Sequence, residues 1–244
     1  MADGIYVALG GAIAQSQFLD ATAANLANAS TDGYQRVRPV FREVLSQATG
    51  GAAALHSTAV VDTQTDVSRG PTRVTGGALD FAMPQGSYLA VSTGAGERYT
   101  RAASLFVGPD GTLKAAHGDA AVVAEDGRPI KITGDTSSLR VDPSGQLWQG
   151  DETKARLRIV SFPKPAELQH EAGSLLVATP LAGTPSPSKA PLELGQIEGS
   201  NMNVVGAMTD LVGASRTFEA FQRVIDTFRD ADRSAATTVP GVTT

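Results

Sequence analysis

The chain lacks cysteine, has few aromatic residues and contains no long apolar run. With no Cys among its 244 residues, it has no disulfide framework and no thiolate nucleophile or metal ligand. No unbroken apolar stretch reaches the roughly 18 residues of a membrane-spanning helix, so we expect no direct membrane insertion. Residues 1–35 contain neither Lys nor Arg, and we therefore expect no cleaved signal peptide.

Aromatic residues make up 5% of the chain, whereas glycine occurs 26 times, so bulky material for a self-sufficient core is scarce. The 20 Lys and Arg residues are outnumbered by 25 Asp and Glu residues, which gives a formal net charge of −5. This balance excludes a protein that binds nucleic acid mainly through positive charge. At about 150 residues per domain, the length allows one large domain or two modest ones.

The first segment, 1–33, is predicted to be an N-terminal helix. It contains no proline, and Asp32-Gly33 supplies a turn at its end. Its apolar and small residues recur at alternating spacings of four and three, which is the heptad pattern of a helix that packs on another helix. The members of this seam are Ile5, Leu9, Ala12, Ser16, Leu19, Ala23 and Leu26.

The segment 201–233 is predicted to be a C-terminal helix with a second and stronger seam, followed by a frayed tail at 234–244. The residues of this seam are larger and also follow heptad spacing. They are Leu211, Ala214, Phe218, Phe221, Ile225 and Phe228.

The middle of the chain has short β-branched or apolar runs, separated by turn signals about ten residues apart, which is typical of an all-β domain. We expect a loop or extended connector at 34–79, a β-rich domain at 80–179 and a Pro-rich return connector at 180–200. Two seams at opposite ends of one chain most simply pack on each other. The sequence therefore predicts an α+β protein, in which long N- and C-terminal helices form a coiled-coil-like pair with an inserted all-β domain.

Motifs for catalysis or ligand binding are missing from the sequence. His56, His117 and His170 lie far apart and without a second ligand at metal spacing, and no G-x-S-x-G motif occurs. The glycine pairs lack the Lys-Ser/Thr that follows a phosphate-binding loop. We therefore predict no catalytic residue, no cofactor-binding residue and no metal site, and we expect an assembly protein rather than an enzyme.

Both ends and the middle of the chain resemble one family. The run AANLANASTDGYQRVRPVF at 23–41 and the run EGSNMNVVGAMTDLVGASRTFEAFQRVI at 198–225 are similar to the two terminal signatures of the flagellar rod, hook and hook-associated proteins. The segments 70–83 and 87–122 resemble the β-domain motif of the same family. Within the family, the opening is most similar to proximal-rod members, and distal-rod members are the alternative.

This resemblance implies a structural subunit of the bacterial flagellar basal-body rod, a helical shaft that transmits torque across the periplasm. The implied partners are copies of the same chain, other proximal and distal rod proteins, and the flagellar type III export apparatus, which such subunits use without a cleaved signal peptide. Outside the family, the alternative is a secreted oligomeric binding or adhesin-like module whose helices serve only to trimerise it.

The candidate site is an assembly interface made of seam residues and of signature residues near the end of the first helix. Asn25 and Asn28 can either cap that helix or make contacts between helices, and their spacing favours the cap. The predicted interface consists of Ile5, Leu9, Leu19, Asn25, Leu26, Asn28, Gly33, Tyr34, Leu211, Phe218, Phe221, Ile225 and Phe228.

Overall fold

A computed structural model describes residues 2–45, 57–116, 119–134, 136–171 and 173–238. Within these ranges the chain forms two long helices and a set of short strands, so the predicted α+β class is confirmed. The chain divides into two units. The helical unit holds the described residues of Met1–Ala24, Pro39–Thr63 and Val204–Thr244, and the β-rich unit holds those of Asn25–Arg38 and Gln64–Asn203.

The two helices are α1, Ala2–Ala27, and α2, Val204–Thr238. At 1.5 Å per residue they are about 39 and 52 Å long. Helix α2 continues five residues past the predicted end at 233, because Ala235 and Ala236 favour helix. The rest of the predicted frayed tail, 239–244, lies outside the described residues. Among the described residues, neither helix is long and apolar enough to cross a membrane.

The strands are short and follow one another at the predicted turns. In chain order they are β1 Val37–Leu45, β2 Ser57–Thr65, β3 Thr72–Val74, β4 Phe81–Ala82, β5 Ser87–Thr93, β6 Gly96–Thr100, β7 Leu105–Val107, β8 Leu113–Ala115, β9 Ala121–Val122, β10 Leu139–Val141, β11 Gln146–Gln149, β12 Glu152–Arg156, β13 Ile159–Ser161, β14 Gln169–His170, β15 Leu175–Val177, β16 Ser186–Pro187, β17 Glu193–Leu194 and β18 Gln196–Glu198. A short 3₁₀ helix occupies Pro165–Glu167.

Several of these strands lie in segments that the sequence assigned to connectors. The segment 34–79 contains β1, β2 and β3, and the segment 180–200 contains β16, β17 and β18. The pairing partners explain the difference, because β3 pairs with β18 and β4 pairs with β17, far apart in sequence. A local pattern cannot indicate such long-range pairs. Residues 46–56, which belong to the predicted connector at 34–79, lie outside the described residues.

Strand β5 is the centre of the largest sheet. It pairs antiparallel with β6 from Leu89 opposite Thr100 to Thr93 opposite Gly96, and it also pairs with β9 and β13. Its side chains are buried on both faces, since Leu89 and Val91 enter one apolar cluster while Tyr88 and Ala90 enter another. Alternation of side chains along the strand produces this division. The largest sheet of the β-rich unit is therefore buried on both faces at its central strand.

Candidate assembly site

The two helices contact each other in the helical unit through glycines of α1 and phenylalanine rings of α2. A Cβ atom placed on Gly11 would lie 2.5 Å from a ring carbon of Phe221, and one placed on Gly4 would lie 2.8 Å from a ring carbon of Phe228. From Gly4 to Gly11 the contacts move seven residues forward along α1, and from Phe228 to Phe221 they move seven residues back along α2. The helices are antiparallel, and each ring occupies the space that a side chain on the facing glycine would need.

Alanines extend this face of α1. Ala8 lies between the two glycines at heptad spacing and is buried, and Ala14, one turn further along the helix, is buried as well. Continuing the antiparallel register places the half-buried Phe18 opposite Ala214, which is buried. At two places a phenylalanine ring of α2 thus occupies the space beside a glycine of α1, and the same register pairs Phe18 with Ala214 at a third.

The seam predicted for α1 is one residue out of step with this face. The contact positions are Gly4, Ala8 and Gly11, whereas the predicted seam uses Ile5, Leu9 and Ala12. Ala12 is buried, but Leu9 is 47% exposed. The prediction followed the larger side chains, whereas the phenylalanine rings of α2 select glycine and alanine because only these leave room.

Between residues 208 and 234 of α2, the predicted seam coincides with the least exposed positions. Ala214 is buried, and the other members, Leu211, Phe218, Phe221, Ile225 and Phe228, are half-buried. Every other residue between 208 and 234 is exposed. The large residues at heptad spacing therefore mark one face of this helix.

A groove runs along one side of the helix pair and has a volume of about 550 Å³. Three of the predicted interface residues, Leu9, Phe218 and Ile225, line it, and its rim carries one acid and one base. Among the described residues, its lining consists of Leu9, Ala12, Ile13, Ser16, Phe218, Gln222, Ile225, Asp226 and Arg229. Five of these nine residues are apolar, and the helical unit by itself leaves the groove open to water.

Each helix also carries an exposed apolar stripe at spacings of three and four. In α1 the stripe is Tyr6, Leu9 and Ile13, with Tyr6 68% exposed. In α2 the corresponding stripe is Val205, Met208 and Val212. Apolar side chains repeated on one helical face mark a surface that packs against another protein.

The signature residues in the last turn of α1 and just after it meet in the β-rich unit. The Asn25 side chain binds the backbone of Val37 twice, because Nδ2 donates to its carbonyl at 2.8 Å and Oδ1 accepts from its N–H at 2.8 Å. The Tyr34 hydroxyl also donates to Asn25 Oδ1, at 3.0 Å. Burial raises the pKa of Tyr34 to about 12, so this hydroxyl keeps its proton. Asn25 thus ties the end of α1 to the start of β1, instead of the helix cap that its spacing favoured.

Gly33 occupies a position that other residues cannot fill. Its φ of 69° is in the left-handed region, and its N–H donates to the Glu198 carbonyl at 2.7 Å. A Cβ atom on Gly33 would lie 2.2 Å from the backbone nitrogen of Ala102. The turn after α1 is therefore packed backbone against backbone on the segment that follows β6.

Arg101 and Glu198 form a fully buried ion pair beside this turn. Arg101 donates to both carboxylate oxygens of Glu198, with its Nε 3.2 Å from Oε1, and their side chains are 1% and 2% exposed. The remaining guanidinium hydrogens bind three backbone carbonyls, those of Met83, Pro84 and Ser87. The N–H of Gly70 donates to Glu198 Oε1 at 3.1 Å. The pair joins the segments around β6, β4 and β18, and its polar atoms have partners.

Asp66 is the second charged centre of this region. Its carboxylate accepts from Arg36 Nε at 2.7 Å and lies 2.5 Å from a guanidinium nitrogen of Arg38. Burial acts to raise the pKa of Asp66, but hydrogen bonds from Arg36 and Ser68 and the charge of Arg38 outweigh it and lower the pKa to about 2. The carboxylate is therefore charged at neutral pH and holds both arginines.

The described histidine does not indicate a metal centre. His170 lies in β14 with its ring 5.0 Å from the ring of Tyr34, and burial lowers its pKa. Among the described residues, no group of three or more His, Asp or Glu side chains is arranged to hold a metal ion. His56 and His117 lie outside the described residues.

The structure divides the predicted interface residues between two places. Asn25, Gly33 and Tyr34 meet in the β-rich unit, where Leu26 is half-buried and Asn28 Oδ1 accepts from the Thr31 hydroxyl at 3.3 Å. The residues in the helical unit are Ile5, Leu9, Leu19, Leu211, Phe218, Phe221, Ile225 and Phe228.

Arg101, Glu198 and Asn201 were absent from the predicted site, although all three lie in the segments that carry the family resemblance. Arg101 ends the run RYTR, and Glu198 and Asn201 belong to the run EGSN. A charged residue within a buried strand pattern was the available signal, because such a residue needs a partner.

Comparison with known proteins gives family matches at both ends of the chain and relatives that cover most of its length. Residues 5–35 match the family model described as "Flagella basal body rod protein", and residues 193–238 match "Flagellar basal body rod FlgEFG protein C-terminal". The flagellar basal-body rod protein FlgF of Escherichia coli is 32% identical over 94% of this chain and 95% of its own. FlgF of Salmonella typhimurium is 31% identical over 92% of this chain and 93% of its own.

The rod protein FlgG of Bacillus subtilis is also similar, with 27% identity over 86% of this chain and 88% of its own. The matched ends contain α1 and α2, and the full-length relatives cover the β-rich unit as well. The chain belongs to the family of flagellar basal-body rod proteins and is a structural subunit of the flagellar rod that resembles FlgF.

Proposed function

We propose that the chain is a proximal-rod subunit that polymerises, with copies of itself and with other rod proteins, into the helical shaft that transmits torque across the periplasm. The two FlgF relatives, each more than 30% identical over nearly the whole chain, support the proximal position. The role is mechanical and involves no catalysis. Delivery to the rod through the flagellar export apparatus is part of the same proposal.

The observation that carries the proposal is the apolar surface that the helical unit leaves uncovered. The groove and the stripes on α1 and α2 expose apolar side chains that a neighbouring subunit would bury. Each Val, Leu, Ile, Met or Phe side chain that becomes fully buried contributes about 1.5–3 kcal/mol. A repeated head-to-tail contact that does not close into a ring generates a helical array, which is the geometry of a shaft.

In this proposal, α1 and α2 form a coiled-coil-like pair, which is the part of each subunit that lies in the core of the rod. The proposed interface comprises the thirteen residues predicted from the sequence. Leu9, Phe218 and Ile225 line the groove and make direct contact with a neighbour. Phe221 and Phe228 act within the pair, because the glycines of α1 receive their rings. Asn25, Gly33 and Tyr34 act indirectly, by fixing the chain segment that follows α1.

A substitution in the groove tests the interface. Phe218→Asp replaces an apolar side chain of the groove by a charge, and we expect loss of motility with an unchanged fold of the β-rich unit. Thr217→Asp is the matched control, since it adds the same charge to the exposed neighbouring position. Normal swimming of the Phe218→Asp strain would refute the interface.

The distal position is the alternative, because FlgG of Bacillus subtilis covers most of the chain. Removal of the gene separates the two positions. Without a proximal subunit, the more distal rod proteins have no foundation, and purified basal bodies should lack both the distal rod and the hook. If the distal alternative holds, the basal bodies should retain the proximal rod proteins, and mass spectrometry of the purified particles would identify them.

A further inference from the structure

The chain passes between its two units four times, at 24/25, 38/39, 63/64 and 203/204. These crossings are the covalent routes by which a force on one unit reaches the other. On the β-rich side, the four segments next to the crossings contain Asn25, Arg36 to Arg38, Asp66 to Ser68, and Asn201. All of these residues belong to the β-rich unit.

Asn201 binds two of the other three segments with one side chain. Its Oδ1 accepts from the Arg36 N–H at 2.7 Å, and its Nδ2 donates to the carbonyls of Asp66 and Ser68 at 2.8 and 3.0 Å. Its own N–H donates to the Tyr34 carbonyl at 3.2 Å. The segment before the fourth crossing is thereby joined to the second and third segments.

The remaining segments are joined by two other contacts. Asn25 binds Val37 through both of its amide atoms, which joins the first segment to the second. The N–H of Asp66 donates to the Arg36 carbonyl at 2.9 Å, and its carboxylate binds Arg36 and Arg38, which joins the second to the third. Arg36 is thus held by Asn201 through its N–H and by Asp66 through its carbonyl and its side chain.

We propose that Asn201 is the positioning residue that makes the four segments leave the β-rich unit as a single block. The amide is the chemistry that fits, because it combines an acceptor with two donors on one short side chain. An aspartate in its place has no donors and would turn a negative charge toward two carbonyl oxygens. Only the mechanical consequence rests on the proposed rod function. In a rod, a single block transmits torque with less bending than four independent segments.

Hydrogen exchange on the full-length chain tests the block directly. The amides of Arg36, Val37 and Asp66 donate to three different partners: the side chains of Asn201 and Asn25 and a backbone carbonyl. If the segments form one block, these amides exchange through one shared opening, with the same dependence on denaturant. Independent openings of the three amides would overturn the proposal, whether or not the chain is a rod subunit.

The variant Asn201→Asp adds a second test, with Asn203→Asp as the matched control, since aspartate is as good as asparagine at the start of a helix. We expect Asn201→Asp to lower the protection of Val37 and Asp66 about tenfold, as for the loss of one hydrogen bond, while β5 stays protected. In cells, swimming speed should fall in viscous medium relative to Asn203→Asp. Protection lost at Arg36 alone, or equal speeds of the two strains at every viscosity, would show that Asn201 only satisfies its neighbours locally. If Asn201→Asp does not fold, the exchange pattern of the wild-type chain decides whether the segments open together.

Discussion

Gly11 of α1 is packed against Phe221 of α2 so closely that a Cβ atom on the glycine would lie 2.5 Å from the phenylalanine ring. The neighbouring Gly10 has no atom within 4 Å of the same position. The two consecutive glycines therefore differ. Gly11 leaves room for an aromatic ring, whereas Gly10 lowers helix stability and, among the described residues, has no packing neighbour that requires a glycine.

This difference gives a prediction about the two glycines. Gly10→Ala should raise the stability of the helical unit by about 1 kcal/mol, the difference in helix propensity between glycine and alanine. Gly11→Ala gains the same propensity but forces the Phe221 ring to move, so we expect a net loss. Thermal unfolding followed by the helical circular dichroism signal measures both, and equal stabilisation by the two substitutions would contradict the packing.

The buried ion pair predicts a large effect of a single substitution. Arg101→Met leaves the Glu198 carboxylate buried without its partner and should destabilise the β-rich unit by about 3–5 kcal/mol. Replacing both residues, as Arg101→Met with Glu198→Leu, should recover part of the loss. The control is Lys154→Met, whose ion pair with Glu152 is exposed and should matter by less than about 1 kcal/mol. Denaturant unfolding is the measurement, and equal effects of Arg101→Met and Lys154→Met would exclude a structural role for the buried pair.

The turn at Gly33 predicts that two glycines with similar backbones respond differently to alanine. Gly33 and Gly76 have φ angles of 69° and 71°, and at both a side chain is strained in the left-handed region. Gly76→Ala should cost only that strain, about 1–2 kcal/mol, since a Cβ there meets no atom within 4 Å. Gly33→Ala also collides with the Ala102 backbone, so it should cost clearly more in the same unfolding experiment. A loss no greater than that of Gly76→Ala would argue against the close packing of this turn.

His170 predicts the direction of pH dependence near neutrality. Burial is the largest influence on its pKa and lowers it below the ordinary value of 6.5. The unfolded chain therefore binds the proton more readily than the folded chain. The contribution of His170 to the free energy of unfolding is complete above about pH 6.5. It declines as the pH falls from there toward the pKa of the folded state, by at most about 1.4 kcal/mol per pH unit.

Unfolding free energies between pH 7.5 and about 5.5 test this direction. His170→Phe removes the titrating group, so the variant should show a flatter profile than the wild type over that range. An identical slope in both proteins would mean that other groups cause the pH dependence.

The structure also shows which features were accessible from sequence. The face of α2 was accessible, because Phe218, Phe221 and Phe228 are large and lie at heptad spacing. The contact face of α1 was not, because Gly4 and Gly11 carry no hydrophobic signal and the larger Ile5 and Leu9 beside them dominate the pattern. The sequence shows which residues are apolar, but it does not show which of them fit against the opposing helix.

Contacts between distant segments were equally hidden. Arg101 and Glu198 are 97 residues apart, and Arg36 and Asn201 are 165 residues apart. Their pairing depends on the order of the strands, which no local pattern specifies. The short strands in the predicted connectors escaped for the same reason, since β3 and β18 form only by pairing with each other.

Electron cryomicroscopy of basal bodies purified from the organism that encodes the chain tests the central claim most directly. The account predicts density in the proximal rod that fits α1 and α2 as an antiparallel pair, with the groove and stripe residues Leu9, Ile13 and Phe218 buried against neighbouring subunits. Rod density that cannot accommodate this chain, or that leaves those three side chains facing solvent, would contradict it.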